Sequence, residues 1–145
     1  MHILVRRISP YTHHDLLLGV FPSRELASEA RSQYLQAVVH GCGDPWALQA
    51  YWEVSDNDVE ILETVSLIDV TSEVARVFVV SSYAEGFGQV IRTFEAVAGT
   101  FDLAQARADL LEAQDDGGEP YHCEVDEVLV GELSRERDGF RARLS

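Results

Sequence analysis

Leu16-Leu17-Leu18-Gly19-Val20-Phe21, closed by Pro22, and Val97-Ala98-Gly99-Thr100-Phe101 are the two stretches from which the fold is read. Gly and Phe recur in them at the same offset, and each run stands directly before a helix N-cap residue, Ser23 in the first case and Asp102 in the second. Short apolar runs bounded by turn residues read as buried strands. The spacing therefore places a strand-to-helix junction in each half of the chain.

Working outward from the first junction, His2–Ile8 is a strand candidate closed by Pro10, and a polar turn runs through Tyr11-Thr12-His13-His14. Beyond it, Leu26, Ala27, Ala30, Tyr34, Ala37 and Val38 share one helical face, which predicts an amphipathic helix over 24–39. Gly41 and Pro45 end that helix. In the second half, the run Val77-Phe78-Val79-Val80 is the strongest strand signal in the chain. A connection through Gly86-Phe87-Gly88 leads to a strand over 89–101. Val90, Ile91, Phe94, Val97 and Ala98 also fit a helical period there, but Gly99 and Thr100 sit poorly in a helix. Leu103, Ala106, Leu110 and Leu111 then give a second helix its apolar face, ended by Asp115-Asp116-Gly117-Gly118. Further β candidates are Gln49–Val54 and Val59–Val70 in the first half, and Tyr121–Leu133 in the second.

The expected fold class is α+β: two related β-β-α-β units forming a two-layer sandwich, with a mainly antiparallel sheet and helices on one face. The units are 1–74 and 75–133, packed as one globular domain. They are followed by an Arg-rich tail, 134–145, with Arg135, Arg137, Arg141 and Arg143. Neither unit alone could shield both its sheet and its helix.

The 145 residues are 46 % hydrophobic, enough for a substantial core, and carry a net charge of −14. All 11 basic residues are Arg. That charge disfavours direct nucleic-acid binding and anionic membrane surfaces, and favours encounter with basic proteins. No signal peptide pattern opens the chain and no apolar run suits a bilayer, so a cytoplasmic location with reduced Cys42 and Cys123 is expected.

Motifs for catalysis or cofactors are missing. His40 with Cys42 and His122 with Cys123 are candidate soft-metal ligands, but their spacing fits no standard zinc framework, and nothing orients His40 as a base for Cys42. Asp56-Asn57-Asp58 with Glu60 starts like an EF-hand loop, yet Ile61 and Leu67 replace its obligatory Gly and Glu. Gly86-Phe87-Gly88 lacks the third glycine of a dinucleotide fingerprint. No catalytic residue, metal or cofactor is assigned.

Two basic-free acidic stretches remain. Residues 41–75 hold Asp44, Glu53, Asp56, Asp58, Glu60, Glu63, Asp69 and Glu73, interleaved with Trp46, Tyr51 and Trp52. Residues 108–134 hold Asp109, Glu112, Asp115, Asp116, Glu119, Glu124, Asp126, Glu127 and Glu132, beside Tyr121. Carboxylates among exposed aromatics suit a surface that grips Arg and Lys side chains. The candidate partner-binding set is Trp46, Tyr51, Trp52, Glu53, Asp56, Asp58, Glu60, Glu63, Asp115, Asp116, Glu119, Tyr121, Glu124, Asp126 and Glu127. A solvated acidic face over buried aromatics is the plainer alternative.

The Gly-x-Phe-Ser/Asp junction, the Ala-rich helix after it and the Tyr-led acidic strand resemble small bacterial β-β-α-β domains, some found beside secreted toxins. With its charge, the chain resembles the small acidic cytosolic immunity proteins of bacterial toxin–immunity pairs. The resemblance implies a non-catalytic inhibitor that covers the basic cleft of a toxin enzyme acting on nucleic acids or nucleotides. Two alternatives stand beside it. One is a ferredoxin-like small-ligand- or metal-binding domain using His40, Cys42 and His122; the other is a self-associating homodimer.

Overall fold

A computed structural model describes residues 1–8, 15–40, 58–67, 75–114, 121–134 and 136, with side chains omitted for 38–40. It is an α+β fold. The first sheet has the order β2-β1-β3, where β1 is His2–Arg6, β2 is Leu16–Phe21 and β3 is Val59–Glu63. Both pairings are antiparallel. The second sheet has the order β4-β6-β5-β7, where β4 is Val65–Leu67, β5 is Arg76–Gly86, β6 is Gln89–Ala98 and β7 is Tyr121–Leu129. Here β5 pairs antiparallel with β6 and β7, and β4 joins β6 in parallel. Helix α1, Arg24–His40, follows β2, and helix α2, Phe101–Ala113, follows β6.

The alternation of side chains along the strands explains the layering. Ile3, Val5, Leu17 and Val20 from one face of the first sheet meet Val77, Val79, Phe94, Val97 and Val128 from the second in a shared core. The opposite face of the first sheet, through Leu4, Leu16, Leu18 and Phe21, packs against Ala27, Ala30 and Tyr34 of α1. The opposite face of the second, through Val80, Ala96 and Ala98, packs against Ala104 and Ala108 of α2. All six residues of β2 are buried because both its faces are covered, which is why it reads as an unbroken apolar run. Each helix thus covers the outer face of its own sheet. The expectation of both helices on one face of a joint sheet is corrected, because the inner faces are apolar too and bury each other.

Two chain segments tie the sheets together. Leaving β3, the chain turns at Thr64, whose hydroxyl donates to the carbonyls of Phe94 and Glu95 at 3.2 and 3.1 Å, and continues as β4 beside β6. Leaving β7, it makes bridges from Val130 to Val20 and from Leu133 to Gly19. The expected single strands Val59–Val70, over its described part 59–67, and Tyr121–Leu133 are therefore each divided between two sheets. Gly131 has φ +85°, a conformation that suits glycine at this crossing. The Gly131 amide donates to the Val20 carbonyl at 2.9 Å and the Ser134 amide to that of Leu18 at 2.6 Å.

Several boundaries differ from expectation. Residues 89–98 form a strand, but Phe101 opens α2, and the N-cap is Thr100 instead of Asp102. The Thr100 hydroxyl accepts from the Leu103 amide at 3.2 Å, as Ser23 Oγ does from Leu26 at the same distance. Thr100→Ala should cost about 1 kcal/mol in chemical denaturation, and Thr100→Ser should restore most of it. The α2 face is also rotated. Leu103, Ala106 and Leu110 are exposed and the small residues Ala104 and Ala108 face the sheet, because they let the helix backbone approach closely. On α1, Leu26 and Ala37 are likewise exposed while Ala27, Ala30 and Tyr34 are buried. The candidate strand Gln49–Val54 lies outside the described residues.

Candidate partner-binding surface

The described part of the first acidic run is on β3, an edge of the first sheet. Asp58 opens it, and Glu60 and Glu63 point to solvent. Glu60 accepts from Arg7 Nε at 3.2 Å, and Glu63 lies 3.1 Å from His2 Nε2, an ion pair only when that ring is protonated. The Glu63 side chain is 76 % exposed. Exposed pairs of this kind contribute roughly 0–1 kcal/mol, so a partner's cations can replace them at little cost.

The described part of the second run is on β7, an edge of the second sheet. Glu127 pairs with the exposed Arg76 at 2.8 Å, and Glu124 lies 3.5 Å from His122. Tyr121 is half-buried and receives the Cys123 thiol at 3.8 Å. The Cys123 amide donates to Glu112 Oε1 on α2 at 2.8 Å, which occupies one of the open donors of this edge. Burial pushes the Cys123 thiol up, against the thiolate that a nucleophile or metal ligand requires. β3 and β7 stand on different sheets, so the two runs are not brought together as neighbours in one sheet.

Trp46, Tyr51, Trp52, Glu53, Asp56, Asp115, Asp116 and Glu119 lie outside the described residues, as do Cys42 and the side chain of His40. Among the described residues no group of three His, Cys, Asp or Glu side chains is placed to hold a metal ion. No described helix is long and apolar enough to cross a membrane.

Asp126 departs most from expectation, because it belongs to an internal network built around Arg92. Arg92 lies on β6 with its side chain 1 % exposed. A guanidinium has five N–H donors, and all five have acceptors. Nε donates to Ser81 Oγ at 3.2 Å. Nη1 donates to Glu136 Oε1 at 2.6 Å and to the Asp15 carbonyl at 3.0 Å. Nη2 donates to Glu136 Oε2 and Asp126 Oδ2, both at 3.3 Å. The plane is held between rings, 4.7 Å from the Phe94 centroid and 5.4 Å from that of Tyr83. Tyr83 in turn stacks on His122 at 5.0 Å. Burial opposes the charge of Arg92, but its bond to Glu136 and the field of the neighbouring carboxylates raise its pKa overall.

Among the described residues, Glu136 thereby ties the start of the C-terminal tail to Arg92. Glu136 also accepts from the Leu17 amide at 3.2 Å, and Ser134 Oγ donates to the Leu17 carbonyl. Sequence reasoning missed Arg92, Ser81, Tyr83 and Glu136. The available signal was Arg92 itself, a lone cation in the apolar strand Gln89–Ala98.

Tyr83 gives a pH prediction. Burial raises its pKa well above the ordinary 10.0; Arg92 opposes this, while Glu124, Asp126 and Glu136 add to it. A raised folded-state value means that the stability supplied by neutral Tyr83 is complete below about pH 10 and is lost as pH rises beyond it. In a tyrosinate absorbance titration Tyr83 should ionise only with unfolding, and Tyr83→Phe should remove that late step.

Comparison of the chain with protein-family models, with curated proteins and with solved structures found no match.

Proposed function

We propose that this protein is a non-catalytic inhibitor that binds a basic protein, of the kind found in bacterial toxin–immunity pairs, with a nucleic-acid- or nucleotide-acting enzyme as its target. The observation that carries this reading is the state of the two edge strands. Glu60 and Glu63 on β3, and Glu124 and Glu127 on β7, are exposed, and among the described residues their partners are solvent-accessible arginines or histidines. Among all the ion pairs of the described residues, the cation most completely withdrawn from solvent is Arg92, which pairs with Asp126 and Glu136. The remaining field is strongly negative and available for steering. Carboxylates would take the places of substrate phosphates in the target's cleft.

The reading takes the two halves as related β-β-α-β units, and the element order supports it. The order strand–strand–helix–strand occurs twice, each time with the first strand between the other two. Each second strand carries a register shift, with Leu18 skipped in one and Glu95 in the other. These stand at equal distances before the caps Ser23 and Thr100. In this register Gly19 and Phe21 correspond to Ala96 and Ala98. This register differs by three residues from the Gly99/Phe101 correspondence suggested by sequence.

Charge reversal tests the reading. Lys at Asp56, Asp58 and Glu60 together, or at Glu124 and Glu127 together, should slow association with the target about tenfold or more at low salt, and much less at high salt. Unchanged association rates for both sets would remove the steering argument. Small-ligand binding has one observation in its favour. An open cleft of about 410 Å³ between α1 and β3 is lined by Arg24, Ser28, Arg31, Val59, Glu60 and Ile61. Thermal stabilisation by inorganic phosphate, lost in Arg24→Ala, would support it.

A further inference from the structure

The β5–β6 hairpin closes through a two-residue loop, Phe87-Gly88, between the paired residues Gly86 and Gln89. Both loop residues have positive φ, 53° for Phe87 and 76° for Gly88. Hairpin loops with positive φ at both positions favour Asn-Gly, Asp-Gly or Gly-Gly, whereas a bulky residue in the first position is strained. Phe87 is also 94 % exposed, so its ring returns no packing for that strain. The sequence therefore keeps an aromatic residue where both backbone conformation and solvation oppose it. Strain observed at an exposed tip points toward function.

The surroundings define what could receive the ring. Ile91, 53 % exposed, lies on the same hairpin. Glu85 is exposed on β5 two residues before Phe87, and Tyr121 at the start of β7 pairs with Ala84, while His122 pairs with Tyr83 and Glu124, farther from the loop, with Ser81. Residues 77–91 and 108–134 contain no Arg or Lys. The nearest basic residue along the hairpin, Arg92, is buried with all its donors used.

We infer that Phe87 is the aromatic anchor of the interface, inserted into an apolar pocket of the partner protein whose rim carries Lys or Arg side chains facing Glu85. This rests on the inhibitor reading above and adds to it the part of the molecule that enters the partner. Aromatic anchors seated in desolvated pockets carry much of an interface's binding energy, and complementary charge around them steers association.

The test uses the full-length protein and separates binding from folding. Phe87→Asn introduces the favoured Asn-Gly pair, so its melting temperature should rise by about 3 °C. Its affinity for the partner should fall about 30-fold or more. The partner is obtained by photo-cross-linking in the native cells from benzoylphenylalanine at position 87, then purified and titrated against both forms. The inference is supported by attachment to apolar residues flanked by Lys or Arg, together with the loss of affinity in the more stable Asn form. Equal affinity of the two forms for a salt-sensitive partner would overturn the anchor and leave the inhibitor reading standing. Attachment only to a second copy of this chain, or no attachment and no salt-sensitive partner from the unmodified protein, would overturn both.

Discussion

Arg92→Met is expected to destabilise the protein by about 3 kcal/mol, the range found when one member of a buried ion pair is removed. The loss has two sources. Glu136 and Asp126 keep their charges in partly covered positions, 28 % and 38 % exposed, without the guanidinium that held them. Ser81, itself fully buried, loses the Nε donor. The melting temperature should fall by about 10 °C. A double replacement, Arg92→Met with Glu136→Leu, should recover much of this, because removing both charges avoids the penalty of stranding one. Arg92→Lys should recover little, since an ammonium cannot reproduce the forked contact to Glu136 and Asp126. Chemical denaturation of the wild type, the two single replacements and the double gives the coupling energy directly. A single Arg92→Met variant as stable as the wild type would show that the network contributes nothing to folding.

The second large effect is expected at Gly19. A Cβ there would lie 2.8 Å from the Phe21 ring and 2.9 Å from the Glu132 carbonyl oxygen. Phe21 is buried in the α1 core and cannot swing away, and the Glu132 oxygen belongs to the backbone crossing from β7 to β2. Gly19→Ala should therefore cost about 2 kcal/mol through overpacking, and Gly19→Val more. Hydrogen exchange should show the loss first at the amides of Gly131 and Ser134, which bond to Val20 and Leu18. Loss of protection across the first sheet with those amides still protected would place the strain elsewhere.

These two sites show why part of the structure is legible in the sequence and part is not. β2 and the Val77–Val80 segment of β5 are readable because strands covered on both faces need an apolar residue at nearly every position. The strand over 89–98 follows from the cost of Gly99 and Thr100 in a helix. The orientation of α2 is misread when hydrophobicity is weighed by side-chain size, because close packing on Val80, Ala96 and Ala98 selects Ala104 and Ala108. Glycine is needed at Gly19 for the close approach of one backbone segment, so a Gly shared by the two halves does not by itself mark a repeat. Of the proposed surface, Glu60, Glu63, Glu124 and Glu127 are exposed as expected, but Asp126 is drawn into the Arg92 network. Nothing local in the sequence links Arg92 to Glu136, because that contact depends on the path of the chain after β7.

The proposed binding of a basic protein by the acidic edges can be tested at once. The most direct measurement is recovery of the tagged full-length protein from its native host lysate at low and at high salt, followed by titration of what co-purifies. The expected result is one basic protein, bound tightly, with an association rate that falls steeply as ionic strength rises. A protein recovered without a partner at low salt, or with a partner whose association rate is indifferent to salt, would contradict it.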